Sequence, residues 1–250
     1  MHWIRKIPPA VFATLLLLVL WNWAAARPTF TGSLPSAWDT IAELLRLLGD
    51  SATWASTWVT IQEAVLGLLI GVAIALPAGI LLGLSKFAFL STRFTLNFLR
   101  VIPPIVVVPI ATLVLGPTVA MAVFVVAWPV AFIVSVQTSY GVRDSDPVLV
   151  ETLKCYRLST LQQIRYARLP SAAPMIAYGL KIAIVVSLLA SVTAGIIGGA
   201  PGLGLDLMYS QLTGLPATTF ALVLLLGILG TILSRAVEWL QPKIVFWVPS

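Results

Sequence analysis

Long apolar runs broken by short polar or basic stretches set the pattern of this chain. Six runs approach the roughly 20 apolar residues that carry a helix across about 30 Å of hydrocarbon. They fall at about 9–26, 59–84, 97–115, 118–141, 174–197 and 217–240. Lys, Arg, Trp, Gly or Pro bounds each run. The pattern predicts an all-α polytopic bundle of about six transmembrane helices. It divides into a first helix with an outer segment over 1–58, a core over 59–242 and a tail over 243–250.

The segments between the runs carry their own signals. In the outer segment, Pro35-Ser36 opens a short helix with Ser36 as N-cap and Asp39 at N3. Ile41, Leu44, Leu45 and Leu48 then share one face and Gly49 ends the helix. This predicts a packing helix along the outer membrane surface. The longest inner loop runs from about 142 to 174. Asp146-Pro147 predicts a helix over about 147–156, and Ser159-Thr160-Leu161-Gln162 reads as a capping box opening a second one. Leu169-Pro170 is expected to end that helix and Pro174 to start the fifth span.

Within the spans, Gly67-x-x-x-Gly71 and Gly79-x-x-x-Gly83 predict close helix packing. Pro103, Pro104, Pro109 and Pro129 free backbone carbonyls. Lining of a pathway and simple kinks both account for them.

Composition narrows the class. Of 250 residues, 59% are hydrophobic and 10% charged, whereas soluble domains average about 45–50% and about 25%. An ordinary soluble enzyme, a disordered tail and a collagen-like fibre are excluded. The net charge of +6 has a topological origin. With both termini inside, thirteen of the fifteen basic residues face the cytoplasm, leaving Arg27 and Arg46 outside. Nucleic-acid binding is not needed to explain the excess. Arg5, Lys6 and Ala24-Ala25-Ala26 resemble a signal peptide. No soluble secreted domain follows, and Trp21 and Trp23 suit an interfacial anchor, so a retained helix is expected.

The chemistry is sparse. One Cys and a single His at position 2 leave no disulfide framework and no His- or Cys-based metal centre. There is no Gly-x-x-x-x-Gly-Lys-Ser/Thr loop and no nucleophile–base pair, so no catalytic residues are assigned. No span holds an ionisable residue near its centre, where each would cost roughly 2.5–3.5 kcal/mol. Glu63 and Lys181 are expected near span ends, where their side chains can snorkel. Uphill transport by this chain would need energy from a partner. A free-standing carrier or channel would need coupling charges or a charged filter ring, and neither is present. A non-transporting membrane scaffold is a further alternative. Polar candidates for a path are Thr112, Gln137, Ser187, Ser191 and Thr193. Taken singly, each is better explained by helix–helix hydrogen bonding. In the inner loop, Lys154, Arg157, Arg165 and Arg168 stand beside Leu149, Leu153, Tyr156 and Leu161. Such a surface suits a docking partner or lipid headgroups.

That loop resembles the EAA motif of binding-protein-dependent ABC importer permeases, in which Glu-Ala-Ala, a Gly and a Leu-Pro stand at fixed spacing. Glu151 takes the Glu place and Leu169-Pro170 the Leu-Pro place, with no gap between them. Arg157 stands where the Gly belongs and Ala167 where the Ile belongs, while Thr152 and Leu153 replace the two Ala residues. Leu34-Pro35-Ser36, Gly79-Ile-Leu-Leu-Gly83-Leu-Ser85 and Arg100-Val-Ile-Pro103-Pro104 are similar to the sulfonate, taurine and nitrate branch. So are Gly141-Val-Arg-Asp-Ser-Asp-Pro147, Gly179-Leu-Lys181 and Gly202-Leu-Gly204. Members of that branch also serve hydroxymethylpyrimidine and riboflavin-like solutes. A further departure is Gly195, where the branch usually has an acidic residue.

The resemblance implies a type I importer fold and a multi-pass permease of the bacterial inner membrane. It implies two permease subunits, as a homodimer or with a related chain, two ATPase subunits that hold ATP and Mg, and an extracytoplasmic solute-binding protein. Glu151, Tyr156, Arg157, Leu158, Leu169 and Pro170 would form the loop that couples to the ATPase. Arg157 in a glycine place would cost roughly 1–2 kcal/mol if the turn stays left-handed.

Overall fold

The computed structural model describes residues 9–30 and 32–244, whose regular structure is entirely helical. Arg5, Lys6 and the tail beyond Ile244 lie outside the described residues, as does the side chain of Lys243.

Helix α1 (Pro9–Ala25) has 17 residues. Its outer end is tied down by polar contacts. Trp21 Nε1 donates to the Pro35 carbonyl at 2.9 Å, and the Ala37 N–H donates to Asn22 Oδ1 at 3.1 Å. Leu15, Leu16, Leu17 and Leu20 remain exposed, as lipid contact requires.

Helix α2 (Ala37–Leu48) starts where the capping signal puts it, with Ser36 Oγ accepting the Asp39 N–H at 3.1 Å. Its apolar face differs from expectation. Ala37, Thr40, Leu44 and Leu47 are buried, while Ile41 and Leu45 open outward. Glu43 sets this rotation, because Arg46 and Thr218 both donate to it, at 2.7 Å each, and fix α2 against the start of the last helix.

Helix α3 (Ser51–Leu84) starts earlier than its apolar run, because the Asp50 side chain caps it by accepting the Ala52 N–H. The third expected span is corrected. Residues 97–115 are not one helix but the end of α4 (Lys86–Val101) and all of α5 (Pro104–Leu115), bent by 85°. Pro104 disfavours helical geometry at Pro103, and Pro103 does the same at Ile102. Both residues are extended, with ψ of 143° and 113°. Helices α6 (Val119–Arg143), α7 (Pro147–Cys155) and α8 (Thr160–Gln163) follow, then α9 (Leu169–Gly198), α10 (Leu203–Leu212) and α11 (Pro216–Ile244). Helix α3, helix α6, the run Thr160–Gly198 and Pro216–Ala236 are each long and apolar enough to cross a membrane. The α4–α5 pair makes a fifth, broken candidate, and α1 is shorter.

The centre of the bundle is the α3–α6 contact. Added Cβ atoms on Gly67, Gly71, Gly79 and Gly83 would lie 2.5–2.7 Å from side-chain atoms of Val126, Val130, Thr138 and Val142. Each pair is 59 positions apart, so the helices run parallel in one unbroken register. Helix α9 runs antiparallel to α6, with Ala172 against Gly141 at the inner end and Gly198 against Met121 at the outer end. A core of Val108, Met121, Val125, Val130, Val134 and Ala194 fills the space between them. A second cluster at the outer side joins Leu44 and Leu47 to Leu203, Leu207, Leu222 and Leu225. Near the middle of α9, Lys181 pairs with Glu238, which stands toward the inner end of α11, at 3.0 Å.

Two outcomes follow from this packing. Gly71→Val has no room, so it should destabilise the detergent-purified protein by about 1–3 kcal/mol or more. Gly227→Ala, with no atom within 4 Å of the new methyl, should leave the melting temperature unchanged. Equal melting of the two variants would refute the close contact.

The Arg46 hydrogen bond, helped by Thr218, holds the Glu43 carboxyl below its ordinary pKa of 4.5. A lowered folded-state pKa adds stability that is present above the unfolded value and lost as pH falls through the folded one. Thermal stability should therefore fall in acid below about pH 4.3. Glu43→Gln should flatten that acid limb, and an unchanged limb would remove Glu43 as its cause.

Candidate functional site

The inner loop is built by local rules. The Asp146 side chain accepts the Val148 N–H at 2.8 Å and Pro147 occupies the first turn of α7. At the other end, Leu158 N–H donates to the Leu153 carbonyl at 3.0 Å and Arg157 N–H to the Lys154 carbonyl at 2.8 Å. This pair of bonds is the Schellman closure, which normally places a glycine where Arg157 stands. Arg157 adopts it all the same, with φ of 57°, and no other described non-glycine residue has positive φ. The expected capping box then opens α8. Ser159 N–H donates to Gln162 Oε1 at 2.8 Å, and Gln162 N–H donates to Ser159 Oγ at 3.4 Å. Two hydrogen-bonded stops thus bracket one strained residue and make a fixed elbow.

The end of the loop is corrected. Leu169-Pro170 does not terminate the second helix, and Pro174 does not start a new one. Residues Ile164–Arg168 form a π-helical segment that leads directly into α9. Pro170 has no N–H for the regular ladder, and the wider turn lets the helix pass it. Leu169 N–H donates to the Ile164 carbonyl across that turn.

The elbow presents a mixed surface. Tyr156 and Leu161 are 77% and 75% exposed, with Val148 and Tyr166 nearby in the same loop at 68% and 59%. Lys154, Arg157 and Arg165 are exposed beside them, whereas Leu158 is half-buried. Glu151 is exposed at the fifth residue of α7, beyond the first turn. Asp146, rather than Glu151, therefore meets the helix N-terminus, where the dipole acts.

The path candidates do not converge. Thr112, Ser187 and Thr193 return their hydroxyls to carbonyls of their own helices, at 2.9, 2.8 and 2.7 Å. Gln137 packs against Gly179. An outer cleft of about 470 Å³, lined by Asn22, Ser36, Asp39 and Pro216, contains none of the five.

Ser191 belongs to a constellation that the apolar pattern conceals. Its hydroxyl lies 2.7 Å from Glu63 Oε2, with Glu63 1% and Ser191 2% exposed. Glu63 therefore does not snorkel. Its Oε1 is buried without a hydrogen-bond partner. Next to it, Thr60 Oγ1 accepts the Leu203 N–H at 2.9 Å at the start of α10. Gly195 lies one turn along α9 from Ser191, and a Cβ there would stand 2.8 Å from Gly204 Cα. No acidic side chain fits at that place, and the buried carboxyl comes from α3 instead. The sequence signal was Asp50-Ser51, a cap that starts α3 early and puts Glu63 more than three turns inside it.

Because only the strain at Arg157 opposes this turn, Arg157→Gly should raise the unfolding free energy by about 1 kcal/mol. A higher melting temperature checks this. An unchanged or lower one would mean that the elbow is not strained.

Comparison with known proteins places this geometry. Residues 67–246 match the family described as binding-protein-dependent transport system inner membrane component. The chain is 26% identical over 250 residues to the nitrate import permease protein NrtB of Leptolyngbya laminosa, covering 97% of this chain and 89% of that one. It is 30% identical over 195 residues to the bicarbonate transport system permease protein CmpB of Synechococcus elongatus, covering 77% and 69%. A Bacillus subtilis permease protein named for aliphatic sulfonates transport, SsuC, is 27% identical over 214 residues, covering 86% and 78%. Among solved structures, an inward-facing MetNI methionine ABC transporter superposes with a TM-score of 0.69 at 21% identity, covering 77% of this chain and 95% of that one. At that identity the likeness shows the fold.

Proposed function

Because the chain belongs to the family of binding-protein-dependent transport system inner membrane components, we propose that it carries a small anion inward, powered by a separate ATPase. It is the permease subunit of an ABC importer. The sulfonate, nitrate and bicarbonate named for its relatives are all small anions, which supports that solute class over the heterocyclic solutes of the same branch. An extracytoplasmic binding protein delivers the solute, and a second permease subunit completes the path in the bacterial inner membrane. ATP and Mg sit on the ATPase, and the permease itself catalyses no reaction.

The observation that carries this reading is the elbow. A docking site needs apolar anchors with charges around them and must hold its shape against force. Tyr156 and Leu161 provide exposed anchors, Arg157 and Arg165 provide the charges, and the bracketed turn provides rigidity. Beyond the elbow the chain is helical without interruption to Gly198. A push at the loop therefore moves α9 as a rigid element, which suits the domain rotation of a switching transporter.

In the complex reconstituted with its ATPase and binding protein, Glu151→Lys and Tyr156→Ala should each abolish solute-stimulated ATP hydrolysis. Membrane insertion, checked by protease protection, should persist. Full stimulation in both variants would exclude the elbow as the coupling element.

A further inference from the structure

Helix α4 differs from its neighbours in having no buried residue. Its cations recur every seven residues as Lys86, Arg93 and Arg100, and all three are exposed. Seven residues turn a helix by two turns less about 20° and advance it about 10 Å. The three cations therefore form one line about 21 Å long. No acidic residue occurs between Glu63 and Asp144, so neither α4 nor the facing lengths of α3 and α6 supply a counter-charge. Helix α6 adds a further cation, Arg143, whose guanidinium lies 4.1 Å from the centre of the Phe89 ring.

The α4–α5 pair climbs from the inner to the outer end of the bundle. Phe89 meets Tyr140 near the inner end of α6, with ring centroids 5.9 Å apart. Val108 and Met121 meet near the outer end, since both stand within 2.8 Å of the Cβ that Gly198 lacks. Tyr140 and Met121 are separated by about 28 Å along α6 at 1.5 Å per residue. The chain makes that climb between Phe89 and Val108. Helix α5 is turned 85° from α4 and has advanced only from Pro104 when it reaches Val108. The climb is shared by α4, the extended Ile102 and Pro103 and the first turn of α5. That climb raises Arg93 and then Arg100 from the inner end toward hydrocarbon depth, where an arginine facing lipid would cost roughly 2.5–3.5 kcal/mol. Exposed cations at that depth are stable on a face that meets water. The adjoining stripe of Phe87, Phe94 and Phe98, 62–82% exposed, supplies the apolar flank.

We propose that the Lys86–Arg93–Arg100 line borders the translocation path and makes it selective for small anions. This inference rests on the importer reading given above. A line of one sign between apolar walls focuses its field and raises the local anion concentration roughly 10- to 1,000-fold. Steps of about 10 Å give several weak sites rather than one trap, as passage requires.

Thiol chemistry tests the line without knowing the solute. Cys155, the single cysteine, is exposed and is first replaced by Ser. Arg93→Cys and Arg100→Cys are then treated, in the assembled transporter in proteoliposomes, with anionic sulfonatoethyl and cationic trimethylammonioethyl methanethiosulfonate. The anionic reagent should react at least about tenfold faster, relative to the cationic one, than it does with free cysteine in solution. At position 93, Arg100→Gln should lower that preference and Arg100→Lys should preserve it. Absence of labelling at both positions would place the line in lipid, and equal preference would mean that a partner subunit neutralises it. Either result overturns the proposal. ATP hydrolysis stimulated by nitrate, bicarbonate or an aliphatic sulfonate, measured on the unsubstituted complex, separates the two readings. Stimulation without charge preference faults the line alone, and preference without stimulation faults the importer reading.

Discussion

Four glycines on one side of α3 set how closely α3 and α6 can run, and much of the molecule is placed by that distance. With no Cβ at positions 67, 71, 79 and 83, the β-branched side chains of α6 lie against the α3 backbone. Between helices in lipid there is no hydrophobic force to draw them together, so close packing must do it. The constant 59-residue offset has a structural consequence. It brings the inner ends of α3 and α6 to the same level, so α4 and the α7–α8 elbow leave the bundle from one face. It also sets the outer part of α3, with Thr60 and Glu63, against α9 and the start of α10.

The elbow follows a different logic. Its shape comes from short-range hydrogen bonds at a helix C-terminus and a helix N-terminus only three residues apart. Those bonds hold Arg157 in a conformation that an isolated arginine avoids. A basic residue at the exposed tip then adds a charge that the usual glycine could not. The π-helical turn at 164–168 converts what would be a loop into the first turns of α9. Rigid elbow and long helix therefore form one mechanical element.

Local signals were legible where one residue type answers one local need. Ser36, Asp146 and Ser159 cap the helices their patterns predict. The Gly-x-x-x-Gly pairs mark the helix contact they form. Readings failed where tertiary context decides. An apolar window merged the end of α4 with α5, because hydropathy does not register a bend at Ile102-Pro103. Pro170 reads as a stop, because a π turn that tolerates it has no simple sequence signature. Glu63 reads as a span-end residue because the apolar run begins at 59, whereas Asp50 starts the helix well before it. The path candidates share polarity and no common site. Three of them satisfy their hydroxyls within their own helices.

In the proposed function, an ATPase in a separate chain drives this permease through its elbow. Affinity purification of the tagged chain in mild detergent, followed by ATP hydrolysis with and without loaded binding protein, tests it most directly. One P-loop ATPase per permease chain should co-purify, with hydrolysis that rises when the loaded binding protein is added. A chain that purifies alone and still moves solute across a vesicle membrane would contradict it.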